Sequence, residues 1–342
     1  MKQLLPKVPK YFRTNLHTHT NITDASVTAE QMKEFYKKRG YQILCISDHN
    51  VIIDFSELND EDFLMLTGAE FNVNEQDFQR GHSKSAHFNF IAKRPDNLWQ
   101  PFRYNKVWNA EEYLAKADIG AMSQEHTPEA INAMIAEANK RGFLVMYNHP
   151  CWSLHTYEDY SQFRGLWGME ISNTSSASYG DGDNGNIYRE LLNLGNRIFP
   201  VGADDSHSER AVAGSWIMLG AEKLSYDAAI AALEKGNFYA STGPEIYDLA
   251  MDGTVLRFRC SDAVYVTIES GLRFSAKVRP VAPDRLLREG EIDMKKWFTF
   301  CKECTPEKEN RKWFRFIVHG PHGEYATTRA FFFDEFTEAE CK

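Results

Sequence analysis

Residues 28–49 read TAEQMKEFYKKRGYQILCISDH, and this stretch decides the fold. Thr28 and Gln31 have the spacing of a capping box, which predicts a helix start at that point. Met32, Phe35 and Tyr36 make one apolar stripe, and Gly40 can take the left-handed position that ends a helix. The run YQILCI follows, continuous in apolar character and short, as expected of a strand buried on both faces. It stops at Ser47-Asp48-His49, so a carboxylate and an imidazole stand where a buried strand runs out.

The same unit recurs. Thr127 is a cap, Pro128 a first helical residue, Ile131, Met134, Ile135 and Ala138 an inward face, Gly142 a stop, and FLVMY the next strand. NIYRELLNLG then leads into RIFPVG, and SYDAAIAALEKG into NFYAST. Alternation of this kind from about residue 12 to 240 predicts an α/β fold with a parallel sheet or barrel. After TGPEI at 242–246 the texture changes to VYVTIES, WFRFIV and AFFFDEF, divided by turns such as HGPHG. That predicts a small all-β domain, a sandwich, with the two domains at 1–245 and 246–342. The stretch 94–125 shows no clear period and reads as an insertion or long loop.

The chain has 342 residues, 43% hydrophobic and 25% charged, which is globular composition. A formal charge of -9 argues against gripping long nucleic acid by charge alone. There is no signal-peptide pattern and no apolar run of about 18 residues, so a cytoplasmic protein away from membranes is expected. The cysteines at 45, 151, 260, 301, 304 and 341 are too sparse for a disulfide scaffold, and CKEC at 301–304 lacks the second pair of a structural zinc site. They read as reduced thiols.

Chemistry collects at the strand ends. His17 and His19 in NLHTHT are two apart, so an extended backbone turns both imidazoles to one side. An isolated pair of this kind is more often incidental than functional. Yet YQILCI ends at His49, LMLTGA at Glu70, FLVMY at Asn148-His149-Pro150, and RIFPVGA at Asp204-Asp205-Ser206-His207. His87 opens HFNFIA, and Asp24 lies in the loop before the first helix. Active sites of parallel α/β barrels are built at the C-terminal rim. His17, His19, Asp24, His49, Glu70, His87, His149, Asp205 and His207 are therefore nine candidate metal ligands.

On HTHT with Asp24, SDH at 47–49, GAEF around Glu70, HFNFIA, NHP at His149 and DSH at 205–207, the chain resembles the polymerase and histidinol phosphatase (PHP) superfamily of metal-dependent phosphoesterases. The resemblance covers roughly residues 12–245. It departs from the common pattern in TDAS after the first motif, which bears on Asp24, and in GADDSH at the last. It implies a distorted seven-stranded βα barrel with three divalent transition metals, Zn, Mn or Fe. His17, His19, Glu70 and Asp205 would hold the first, Glu70 with His87 and His149 the second, and Asp24, His49 and His207 the third. Three such cations against three carboxylates leave a positive site matched to a phosphate dianion plus one hydroxide. The expected reaction is hydrolysis of a small phosphorylated substrate by a metal-activated hydroxide, with Glu70, Asp205 and His207 as catalytic residues.

Asp48, Glu170 and Asp204 are expected to orient ligand imidazoles rather than bind metal. Arg80, His82 and Lys84 before His87, and Arg210 after His207, are candidate phosphate clamps, with an exposed polar loop as the equal alternative. GDGDNGN at 180–186 lacks the ligand pattern of a calcium loop and reads as a rim loop. The competing functions are a metal amidohydrolase or deaminase and a non-catalytic metal-binding protein. The Asp24, His49 and His207 set, and the lack of a strand-end lysine, favour phosphoester chemistry. The β domain's role and the oligomeric state stay open at this point, with shielding of the site and a homodimer as candidates.

Overall fold

The computed structural model describes every residue except 104–108, 283, 338–339 and 341–342, so Cys341 lies outside the described residues. The helix expected at Thr28 spans Ala29–Lys38 with both halves of the capping box formed. Gln31 N donates to Thr28 Oγ1 and Thr28 N to Gln31 Oε1, while Gly40 takes a φ of 79°. Pro128–Lys140 is likewise capped by Thr127, and Ile131, Met134, Ile135 and Ala138 are its buried residues. Tyr226–Lys235 ends on Gly236 in the left-handed conformation. Local signals of cap, stripe and stop thus place these helices.

Among the described residues nine strands of the first part of the molecule share one sheet: β1 (Lys10–Asn15), β2 (Ile43–Ile46), β3 (Leu64–Asn74), β4 (Ser85–Ala92), β5 (Phe143–Tyr147), β6 (Gly168–Asn173), β7 (Phe199–Ala203), β8 (Trp216–Ala221) and β9 (Phe238–Ser241), while the short strands Trp99–Gln100 and Asp118–Ile119 pair apart from it. The first seven lie side by side in chain order, and β8 and β9 follow beyond β1. The neighbours β1–β2–β3 and β5–β6–β7 are parallel. Strand β4 runs antiparallel to both β3 and β5, and β8 and β9 are antiparallel as well. The expected parallel sheet is therefore a mixed one. Residues 75–84 between β3 and β4 are too few for the crossover of a dozen or more residues that a parallel neighbour requires.

No ladder joins β1 to β7 among the described residues, because the free edge of β1 is taken by β8. The ends of β1 and β7 still meet: Asp205 N donates to His17 O and His19 N to Ser206 O, each at 2.9 Å. Those two bonds bring the first and last chemical motifs together.

Beyond residue 245 the strands are β10 (Ile246–Asp252), β11 (Val255–Ala263), β12 (Tyr265–Ser270), β13 (Ala276–Val278), β14 (Leu287–Asp293), β15 (Trp313–His319) and β16 (Tyr325–Thr328), with the two-residue strand Phe331–Phe332 paired to β15. One sheet has the order Lys2–Gln3, β10, β11, β14; the other continues the first sheet through β9, β16, β15, β12, β13. Leu249 and Met251, Leu256 and Phe258, Val266 and Ile268, and Phe316 and Val318 form a core of their own, each pair two residues apart as one strand face requires. Leu4 and Leu5 join it. The expectation of an all-β unit is corrected by a helix at Lys295–Lys302, which buries Trp297, Phe298 and Cys301 in that core. Its aromatic content disguised a helical spacing. Among the described residues the unit is β-rich, with one α-helix.

Candidate metal centre

Eight of the nine candidate ligands stand on or just beyond strands of the first sheet, and Asp24 on the loop after β1. Glu70 departs from the expected strand end. Strand β3 runs on to Asn74, and Glu70 sits within it, opposite Asn89 of β4. The reversed direction of β4 is what brings His87, near its start, to the same rim as the ends of its parallel neighbours.

Glu70 is the hub. Its Oε1 lies 3.0 Å from His87 Nδ1, 3.2 Å from His149 Nε2 and 3.3 Å from His17 Nε2. Its Oε2 lies 3.1 Å from His49 Nδ1 and 3.5 Å from His19 Nε2. Asp205 Oδ1 is 3.1 Å from His19 Nε2 and 3.4 Å from His17 Nε2. Asp24 faces His49 Nε2 at 3.4 Å and His207 Nε2 at 3.3 Å. Four overlapping groups of donor atoms result, each within 4.8 Å: His19, Asp24, His49 and His207; His17, Glu70 and His149; His17, His19 and Asp205; His49, Glu70 and His87. His17, His19 and Glu70 are almost fully buried, whereas the side chains of Asp24 and His207 are 38% and 34% exposed. The centre thus opens to solvent on the Asp24–His207 side.

Buried imidazoles and carboxylates this close shift one another. Burial pushes His19 down to about 3, and the neighbouring His207 and His49 add to the effect. Burial acts downward at His207 too, but the Asp24 hydrogen bond and the Asp205 charge outweigh it and lift His207 to about 9. At Glu70 and Asp205 burial works upward, and the surrounding imidazoles nonetheless hold both carboxyls below the usual range. His19 Nδ1, His87 Nδ1 and Glu70 Oε2 are buried, and despite the close approaches above none of them makes a well-formed hydrogen bond. Leaving such atoms bare costs about 1–3 kcal/mol each. The donor set, imidazole nitrogens with carboxylate oxygens, fits divalent transition metals, which would satisfy those atoms.

The carboxylates expected to orient imidazoles divide. Glu170 does so: its Oε1 is 2.6 Å from His17 Nδ1, and its Oε2 accepts from His149 N at 3.0 Å and from Asn173 Nδ2 at 2.8 Å. Asp48 instead pins the turn after His19, accepting from Thr20 N and Oγ1 and from Thr23 Oγ1. Asp204 binds Asn15, Tyr36, Thr174 and the backbone of residues 213–215, so it ties β7 to β1 and to the loop before β8. Two of the three therefore hold backbone rather than rings. His149 and Asp205 have φ values of 24° and 52°, a left-handed conformation rare for such residues and concentrated at functional positions.

The phosphate-clamp candidates do not converge on the centre. Lys84 is bound to both carboxylate oxygens of Asp159 at 2.9 Å, and Arg80, His82 and Arg210 are exposed. Among the described residues, no hydrogen bond or ion pair joins Arg80, Lys84 or Arg210 to any of the nine. Sequence reasoning missed Asn148 and Asn89. Asn148 Nδ2 donates to Glu70 Oε1 at 2.7 Å and to Asn89 Oδ1 at 2.8 Å, and Asn89 Nδ2 reaches Leu16 O at 2.9 Å. The available signal was spacing, since Asn89 shares a strand face with His87. Trp152 was missed as well. It is half-exposed, and its ring lies 4.9 Å from His149 and 5.4 Å from His87.

Fold and donor set together define a mixed α/β protein with a clustered imidazole–carboxylate centre suited to divalent cations. In sequence, the chain matches no protein-family model and no curated protein. Solved structures similar to it include a two-domain protein of Bacteroides vulgatus containing a predicted PHP-like metal-dependent phosphoesterase. The two are 13% identical with a TM-score of 0.44, over 97% of this chain and 98% of that one. A structure described as a metal-dependent phosphoesterase of Bifidobacterium adolescentis is 17% identical with a TM-score of 0.33, over 60% and 90% of the two chains. The lesion-specific endonuclease EndoQ of Pyrococcus furiosus is 9% identical with a TM-score of 0.41, over 80% and 65%. Among the described residues no helix is long and apolar enough to cross a membrane.

Proposed function

We propose that this chain is a metal-dependent phosphoesterase of the PHP type, its centre carried by a distorted βα barrel and its substrate a small phosphate ester. The observation that carries this reading is the gathering of nine side chains from separate segments into four donor groups that share Glu70, His17, His19 and His49. The ordered motifs HTHT, SDH, GAEF, NHP and DSH support the same reading. His17, His19, Glu70 and Asp205 would hold one cation, Glu70, His87 and His149 a second, and Asp24, His49 and His207 a third.

Bound cations would supply positive charge for the phosphoryl oxygens and lower the pKa of water toward neutrality. The chain's own groups do the rest. Glu170 fixes the His17 ring and Asn148 fixes Glu70, and Asp205 and His207 would move a proton. The net charge of -9 supports a small ester over long nucleic acid.

Metal analysis of the purified chain, followed by assay of the Mn-loaded protein on a panel of phosphomonoesters and phosphodiesters, tests this. We expect about three cations per chain and hydrolysis that Glu70→Gln abolishes without changing the circular dichroism spectrum. A metal-loaded chain inactive on every ester would overturn the reading, and deamination or amide hydrolysis in its place would favour the amidohydrolase alternative.

A further inference from the structure

Trp152 stands one turn beyond His149, on the segment that leaves β5. Ser153 N donates to His149 O, Leu154 N to Cys151 O and His155 N to Pro150 O, so this turn is held by its own backbone. His155 anchors its far side, with Nδ1 2.5 Å from the buried Tyr147 hydroxyl. The turn therefore presents Trp152 in a defined position. Its indole meets the His149 and His87 rings edge-on, at interplanar angles of 80° and 66°, and leaves 37% of the residue in solvent. A large exposed aromatic within 5.4 Å of two candidate ligands borders whatever occupies the centre.

From these contacts we propose that Trp152 is the platform for the organic half of the substrate, and that this half is a flat aromatic ring carrying a single phosphate. The inference rests on the phosphoesterase reading above and names the substrate class for it. Three observations favour a ring with one phosphate over a polar or polyanionic group. Lys84 is bound by Asp159, and among the described residues no bond joins Arg80 or Arg210 to the centre, so these three cations are not gathered there for a second anion. Cys151 N donates to Asn184 Oδ1 at 3.2 Å, which sets the acidic 180–186 loop, with Asp181 and Asp183, against the turn. An indole offers a π-face on which any planar ring stacks, whatever its hydrogen-bonding edge. A nucleoside monophosphate and an aryl phosphate share this chemistry.

The test compares phenylphosphonate with methylphosphonate, two non-hydrolysable probes, by calorimetry on the full Mn-loaded chain and on Trp152→Ala and Trp152→Phe. We expect the parent chain to bind phenylphosphonate at least about tenfold more tightly, as stacking on one ring allows. Trp152→Ala should erase that ratio and Trp152→Phe should keep most of it. In parallel, the ratio of kcat/KM for phenyl phosphate over glycerol phosphate should fall by a similar factor in Trp152→Ala, with metal content equal to that of the parent. An unchanged ratio in Trp152→Ala, or a parent chain without preference for the phenyl probe, overturns the proposal. A parent chain that prefers phenylphosphonate but hydrolyses no ester would instead refute the phosphoesterase reading and leave the platform standing.

Discussion

Glu170 Oε1 lies 2.6 Å from His17 Nδ1, with both side chains fully buried. Burial alone would lower the His17 pKa, but the Asp205, Glu70 and Glu170 carboxylates override it and raise it well above the ordinary histidine value. The contact fixes the ring with Nε2 turned toward Glu70 and Asp205. Glu170→Gln preserves shape and removes the charge. Cation affinity should fall roughly 10- to 100-fold, as for other partners of ligand histidines. Competition with a chelator measures it, and an affinity equal to that of the parent would show that Glu170 does not tune the centre.

His207 makes cation uptake pH-dependent. In the metal-free chain its pKa is about 9, so it carries a proton at neutral pH and must lose it before Nε2 can act as a ligand. Uptake at the Asp24, His49 and His207 group should therefore strengthen as pH rises from 7 to 9, by up to about tenfold per unit. Calorimetry in buffers of different ionisation enthalpy should reveal the released proton. His207→Ala should bind more weakly and release one proton fewer.

His155 should make the metal-free fold acid-sensitive. Burial, reinforced by His126 at 3.1 Å, holds its pKa near 3 in the fold, against an ordinary value of about 6.5 in the unfolded chain. Between these values the unfolded state binds the extra proton, so stability is retained above about pH 6.5 and falls as pH drops toward 3, by up to about 1.4 kcal/mol per unit. Urea midpoints taken from pH 7 to 4 should show a shallower decline for His155→Gln. Parallel declines would place the acid sensitivity elsewhere.

Gly68 is a packing requirement of β3, two residues from Glu70. A Cβ at this position would stand 2.4 Å from Cys45 Sγ and 2.9 Å from Phe90 O, one of them backbone. Gly68→Ala should destabilise the fold by about 1–3 kcal/mol, read from urea unfolding. It should also displace Glu70 and reduce cation content. Wild-type stability would mean that β2 and β4 can part more easily than their pairing suggests.

Much of the centre was legible because its ligands are chemically unusual residues at the ends of apolar runs. His17 with His19, His49, His149 and the Asp205–His207 pair all announce themselves in this way. Glu70 was legible as a residue but misread as a strand end, since nothing local marks where a strand stops when it gains a new antiparallel neighbour. Asn148 and Asn89 were invisible as a pair, because asparagine is common and their bond joins two strands. The helix at Lys295–Lys302 was hidden by aromatic residues that suit strands equally well.

From its sequence alone this protein has the boundaries of the helices at Ala29–Lys38, Pro128–Lys140 and Tyr226–Lys235, the strands that follow them, and the identity of nine candidate ligands. Caps, stripes and glycine stops act over a few neighbouring residues, so each can be read without knowing the rest. Only the tertiary structure decided which of those ligands meet. The reversal of β4 carries His87 to the common rim, and two backbone bonds between the ends of β1 and β7 set His17 and His19 against Asp205. Such pairings join residues far apart in the chain, where packing and long-range hydrogen bonding, rather than local propensity, choose the partner.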